Sequence, residues 1–198
     1  FELMQSAAHA AFRCLVRHWR NCGSVLVLCG AGNNGGDGYL VAASARRHGL
    51  EVSCIAVAPT EKLSGDARKA CQKALADGVE VLELEALSES SLDDLFAGAG
   101  LIVDAMLGTG VSGAPREPFA TLIGRCNSAP APVLAVDLPS GLNATTGAAE
   151  GDVVNAAMTV TFIGLKVGLF TGQGPAVCGE DERDGRRKPT NKAKKKKK

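Results

Sequence analysis

Three short segments gather the residues able to do chemistry. The first is Gly30-Ala31-Gly32-Asn33-Asn34-Gly35-Gly36-Asp37-Gly38, with two Asn and one Asp among five glycines. Backbone N–H groups in a glycine-rich turn before a helix can receive phosphate or another anionic group. The side chains of Asn33 and Asn34 add carbonyls and amides for a ligand or a cation. The second segment is Asp104 followed by Gly108-Thr109-Gly110-Val111-Ser112-Gly113-Ala114. A carboxylate there can coordinate a cation, and the small residues allow close backbone approach. The third is Asp137-Leu138-Pro139-Ser140-Gly141. An Asp leaving a buried strand beside a glycine-rich pocket suits general acid/base work, because desolvation favours its protonated form.

Each segment also has a plainer reading. Asp37 could simply cap the helix after the turn, and Asp104 could cap its own turn. A plain turn does not need so many glycines, which favours a binding loop at the first position. Gly30-x-Gly32-x-x-Gly35 satisfies the spacing of a dinucleotide fingerprint. The acid expected to hold a ribose is badly placed, however, since Glu51 falls before the second predicted strand rather than after it. A conventional dehydrogenase-type cofactor site is therefore poorly supported.

These segments need elements to position them. Residues 3–20 are Ala-rich with apolar residues at helical spacing, and Asn21-Cys22-Gly23 ends them. Ser24 to Cys29 is a continuous apolar run of strand length, as expected of a strand buried on both faces. Tyr39 to His48 reads as helix and Val52 to Ala58 as strand. The alternation continues with helix 63–76, strand 79–84, a short helix capped by Ser88 or Ser90, strand 101–104, helix 117–126, strand 133–137 and strand 158–163. Strand and helix in turn predict βαβ units. The expected fold is a Rossmann-like three-layer α/β/α sandwich with a mostly parallel central sheet. In such a sheet ligands sit outside the carboxyl ends of the strands, where all three segments fall.

Composition narrows the function. The chain has 198 residues, a length for one domain with or without a tail. No apolar run approaches the roughly 18–20 residues that span a bilayer, which argues against a membrane role. Aromatic residues make up only 4%, too few for a base-stacking face, and nucleic acid is disfavoured as a partner. The seven cysteines are odd in number and scattered, without metal spacing. They read as reduced thiols of a cytoplasmic protein. The formal net charge of +1 hides an asymmetry. Residues 1–178 carry 12 Lys/Arg and 17 Asp/Glu, a net of −5, whereas 179–198 carry 10 and 4, a net of +6. Residues 180–198 lack hydrophobic period and are expected to form a disordered, Lys-rich tail beyond a domain at 1–179.

Four ordered motifs carry a resemblance to a known family. They are G-A-G-N-N-G-G-D-G, V-D-A-M-L-G-T-G-V-S-G, V-D-L-P-S-G and T-F-I-G-L-K-V-G-L-F-T-G, spread from about Leu3 to Gly179. Together they resemble the YjeF N-terminal domain, the NAD(P)H-hydrate epimerase family. The resemblance implies an isomerase that interconverts the R and S epimers of NADHX and NADPHX at C6 of the hydrated nicotinamide ring. A partner dehydratase, fused or separate, then repairs the S form. It implies substrate contacts from Asn33, Asn34, Gly35, Gly36 and Asp37, from Gly108, Thr109, Gly110, Val111, Ser112, Gly113 and Ala114, and from Asp137. It implies one potassium ion (K+) per subunit held by Asn34, Asp104 and Ser140, and a homodimer. Asp137 is the expected proton carrier. Lys166, in the last motif, is open between a pocket residue and a structural lysine at a strand end. The resemblance also implies a helix before residue 3 and an apolar segment after 179, so the chain is expected to be an N-terminally incomplete epimerase half. The rival reading is a YjeF-like domain that has lost catalysis and serves as a scaffold or RNA-associated dimerisation module. Retention of Asn34 and Asp137 argues against it.

Overall fold

The computed structural model describes residues 1–110, 112–162, 164–183 and 186–187. Val111 and Ile163 lie outside them.

The expected alternation is present. Helix α1 (Glu2–His18) precedes β1 (Ser24–Cys29), α2 (Asn33–Arg47), β2 (Glu51–Ala56), α3 (Gly65–Ala76) and β3 (Glu80–Glu83). Then follow α4 (Glu89–Gly98), β4 (Leu101–Ala105), α5 (Phe119–Ser128), β5 (Val133–Val136), β6 (Met158–Thr161), the short α6 (Gly174–Val177), β7 (Glu180–Arg183) and β8 (Arg186–Arg187). One sheet holds all the strands in the order β3-β2-β1-β4-β5-β6-β7-β8, parallel throughout except for the last pair.

The apolar run of β1 shows why the sheet must be covered on both faces. Val25, Val27 and Cys29 pack with α1, α2 and α3, while Leu26 and Leu28 pack with α4 and α5. Successive strand side chains point to opposite faces, so a run without polar alternation demands two helical layers. The result is the α/β/α sandwich that the alternation predicts. Six of the cysteines are buried and Cys22 is half-buried, so most serve as small core residues, as expected.

Two expectations need correction. Helix α2 begins at Asn33, not Tyr39, so the glycine-rich segment is mostly the start of a helix rather than a loop. Its N-cap is Gly32, and Asp37 does not cap it. Close packing explains several of the glycines. A Cβ on Gly35 would lie 1.8 Å from the carbonyl oxygen of Gly30, and one on Gly38 would lie 2.6 Å from Cβ of Ala105. Side chains there would push α2 off the ends of β1 and β4. The tail also differs from expectation, because Glu180–Arg183 and Arg186–Arg187 join the sheet as β7 and β8. Strand pairing uses backbone groups, so β7 can extend β6 without an apolar sequence. Residues 184–185 and 188–198 lie outside the described residues.

The strand order places the site. From β1 the chain moves outward to β2 and β3, then crosses back to lay β4 on the other side of β1. Such a reversal opens a crevice at the carboxyl ends of the two central strands.

Candidate functional site

A cleft of about 1060 Å³ opens at that reversal. Its walls include Asn33, Asn34 and Asp37 from α2, Gly108, Thr109 and Gly110 after β4, Asp137 after β5, and Lys166 after β6. Four separate sequence segments are thus brought together at the carboxyl ends of β1, β4, β5 and β6. Within α2, the N–H of Gly36 donates to the carbonyl of Gly32 at 3.1 Å, closing the first helical turn. The preceding N–H groups, of Asn33, Asn34 and Gly35, precede any intrahelical acceptor and form an anion-seeking helix terminus beside the cleft.

Other expected contacts lie elsewhere. Gly35 and Gly36 are buried, with Cβ positions blocked by Gly30 and Met4 respectively, so they serve the packing of α2. Ser112 and Gly113 border a smaller neighbouring recess with Leu138 and Gly141. Ala114 is exposed and packs near Gly151, and Val111 lies outside the described residues.

The floor of the cleft is tied by a chain of hydrogen bonds. Asp104 is fully buried. Its Oδ1 accepts from the Ser140 hydroxyl at 2.6 Å and from the Met106 N–H at 3.2 Å, and its Oδ2 accepts from the Ser140 N–H at 2.8 Å. Burial pushes the Asp104 carboxyl up, and the bonds from Ser140 and Met106 oppose that shift. The Ser140 hydroxyl accepts from the Leu107 N–H at 2.9 Å, and the Leu107 carbonyl accepts from Nδ2 of Asn34 at 2.9 Å. Asn34, Ser140 and Asp104, the three expected cation ligands, therefore sit on one connected path.

Whether these residues fit a cation turns on Asn34. It is 8% exposed, and its Oδ1 has no hydrogen-bond partner among the described residues. An orphaned buried acceptor costs about 1–3 kcal/mol unless something fills its lone pairs. Neutral oxygen donors beside one carboxylate suit a hard cation. Among the described residues no group of three or more His, Cys, Asp or Glu is placed to hold a metal ion.

The second charged group is richer than the sequence reading. Asp137 has φ 69°, a left-handed conformation that Asp tolerates better than most residues. Its Oδ1 accepts from Nζ of Lys166, from the Thr161 hydroxyl at 3.3 Å and from the Phe162 N–H at 3.3 Å. Lys166 also donates to the Phe162 carbonyl at 2.7 Å and the Thr161 hydroxyl at 3.1 Å. The side chains of Lys166 and Asp137 are only 15% and 17% exposed. Lys166 is therefore a pocket residue, which decides between its two readings. Asp37 faces this pair. Burial, reinforced by the Asp137 carboxylate and relieved in part by Lys166, pushes its carboxyl up to about 7. Its Oδ1 is buried with no hydrogen-bond partner among the described residues.

Sequence reasoning missed Thr161 and Leu107. Thr161 reads as an ordinary β-branched strand residue. The available signal was its place at the carboxyl end of a strand. Leu107 contributes only backbone atoms, which leave no mark in a sequence.

Comparison with known proteins bears on this geometry. The sequence profile described as YjeF-related protein N-terminus matches residues 1–168. The chain is 46% identical over 186 residues to the bifunctional NAD(P)H-hydrate repair enzyme Nnr of Escherichia coli (strain K12), covering 91% of this chain and 34% of that protein. It is 41% identical over 180 residues to the bifunctional NAD(P)H-hydrate repair enzyme of Leishmania major, covering 90% of this chain and 31% of that protein. The chain thus spans about a third of the length of these curated relatives. Among solved structures, yeast ynu0 (YNL200c) shares the fold, with a TM-score of 0.78 and 22% identity over 95% of this chain and 80% of that one.

Proposed function

The chain belongs to the YjeF-related protein N-terminus family, and from that premise we propose that it is an NAD(P)H-hydrate epimerase, interconverting the R and S forms of NADHX and NADPHX. The observation that carries the proposal is the convergence of the helix α2 terminus with the Asp137–Lys166 pair on one cleft. The first suits the pyrophosphate of a dinucleotide, and the second supplies a carboxylate for proton transfer. The names of the relatives agree with a hydrated nicotinamide nucleotide as substrate.

The chemistry asks little more of the protein. C6 of the hydrated ring carries a hydroxyl next to the ring nitrogen. The nitrogen lone pair can push out that hydroxyl as water once it is protonated, and water can return to the other face. The amides of Asn33 and Asn34 would hold the anionic part, the loop from Gly108 to Gly110 would border the ring, and Asp137 would move the proton. Orientation and one acid/base account for such a step, because the ring nitrogen supplies the electrons.

Asn34, Asp104 and Ser140 would hold one potassium ion, whose charge would fix the loop after β4 and offset the carboxylates of the cleft. The anionic substrate would then meet backbone amides and one cation instead of a basic surface. The same proposal includes a homodimer in the cytoplasm, acting beside an NAD(P)H-hydrate dehydratase. Chromatography of (R)-NADPHX incubated with the protein and potassium tests the activity. Equilibration of the epimers faster than the spontaneous rate supports it. A catalytically dead scaffold, the competing reading, would leave the spontaneous rate unchanged.

A further inference from the structure

The cleft holds a second carboxyl that the mechanism above does not use. Asp37 projects from α2 toward the pair formed by Asp137 and Lys166 and lines the same cleft. The two acids differ in their surroundings. Asp137 accepts from an ammonium, a hydroxyl and a backbone N–H. Asp37 has one oxygen buried without any hydrogen-bond partner among the described residues, which disfavours a carboxylate. One acid with an orphaned oxygen facing another that is hydrogen-bonded can serve as proton donor beside an acceptor.

We propose that Asp37 is a catalytic residue, the proton donor to the departing C6 hydroxyl, and that Asp137, held by Lys166, is the acceptor for the water that returns. The assignment rests on the epimerase reading. In one direction the C6–O bond breaks and its electron pair stays on oxygen. That oxygen takes the proton of Asp37 and leaves as water, while the ring-nitrogen lone pair closes a C=N bond to C6. Water then attacks C6 from the opposite face, the C=N pair returns to nitrogen, and Asp137 takes the surplus proton. The pair begins and ends with one proton, moved from Asp37 to Asp137. The reverse reaction moves it back, so a freely reversible epimerisation resets its own catalyst. Lys166 is a positioning residue that holds Asp137 by its Oδ1.

Other charged groups around α2 have partners that account for them. Asp66 of α3 lines the cleft but bonds Lys69, and Asp104 of β4 bonds Ser140. Glu2 of α1 is exposed. Asp137 and Lys166 are the charged groups acting on Asp37. Its carboxyl at about 7 is the value a donor needs near neutral pH.

The test is the rate of (R)-NADPHX epimerisation between pH 5.5 and 9, corrected for the spontaneous rate, for the wild-type chain and for Asp37→Asn, with NADPH binding measured in parallel. The wild-type rate is expected to fall as pH rises through about 7, as the pair loses its shared proton. Asp37→Asn is expected to lose about 100-fold or more in rate while binding NADPH as tightly as the wild type. A variant within threefold of the wild-type rate, or a wild-type rate flat across this range, overturns the assignment while leaving the epimerase reading intact. A wild-type chain without activity at any pH removes both. If Asp37→Asn does not fold, the wild-type profile alone decides.

Discussion

Lys166 donates to Oδ1 of Asp137 across 29 residues of sequence, joining the turn after β5 to the segment after β6. The contact holds a carboxylate in a left-handed backbone conformation at the mouth of the cleft. Both side chains are mostly buried, so the pair is not a weak surface ion pair, and removing one partner strands the other charge.

Lys166→Met should therefore act on catalysis through Asp137. The expected loss in kcat is about 10- to 100-fold, with KM for NADPHX changed far less. Lys166 also lowers the Asp37 carboxyl, so its removal should move the fall in rate to higher pH. A pH profile that keeps its midpoint would show that Lys166 is only structural.

Stability should depend on pH through Asp37. Its carboxyl stands at about 7 in the folded chain against an ordinary 3.8. Between these values the folded chain keeps a proton that the unfolded chain has released. The contribution of this group is thus complete at low pH and is lost as pH rises toward 7. Asp37→Asn cannot ionise, so thermal unfolding should show a higher Tm than the wild type at pH 8 and little difference at pH 4. A loss of Tm at both pH values would contradict this picture.

Potassium should stabilise the protein through Asn34, whose Oδ1 has no hydrogen-bond partner among the described residues. Replacing choline chloride by potassium chloride at equal ionic strength should raise Tm, by an amount that grows with the logarithm of potassium concentration above Kd. Asn34→Ala should abolish the response. Equal melting in both salts would dismiss the cation.

The packing of α2 makes a separate prediction. Gly35→Ala brings a methyl group 1.8 Å from a backbone oxygen that cannot swing away. The variant should lose at least about 1–3 kcal/mol in denaturant unfolding. Gly32→Ala meets nothing within 4 Å and should cost less, only the preference for Gly over Ala at an N-cap. Equal costs for the two would contradict the close approach.

Much of this architecture was legible in the sequence. The apolar run at 24–29 announces a strand covered on both faces, and Asp104 and Asp137 fall where the sequence puts them, at the carboxyl ends of β4 and β5. The start of α2 was hidden, because glycines that signal a loop by propensity here serve close packing inside a helix. The tail strands were hidden because charged residues carry no strand periodicity, while pairing with β6 needs only backbone. In the sequence Lys166 stays open between two readings, and Asp37 reads only as a helix cap or a substrate contact. Their meaning comes from facing Asp137 across the cleft, a relationship between distant segments that spacing along one chain does not encode.

The central claim is that this cleft epimerises hydrated nicotinamide nucleotides with Asp137 moving a proton. The most direct measurement follows pure (R)-NADPHX by chromatography in potassium buffer with the wild-type chain, with Asp137→Asn and with no protein. The account predicts that the wild type brings R and S to equilibrium well ahead of the spontaneous reaction. It predicts that Asp137→Asn, while still binding NADPH, falls back by about 100-fold or more. An Asp137→Asn chain as fast as the wild type, or a wild type no faster than buffer, would contradict it.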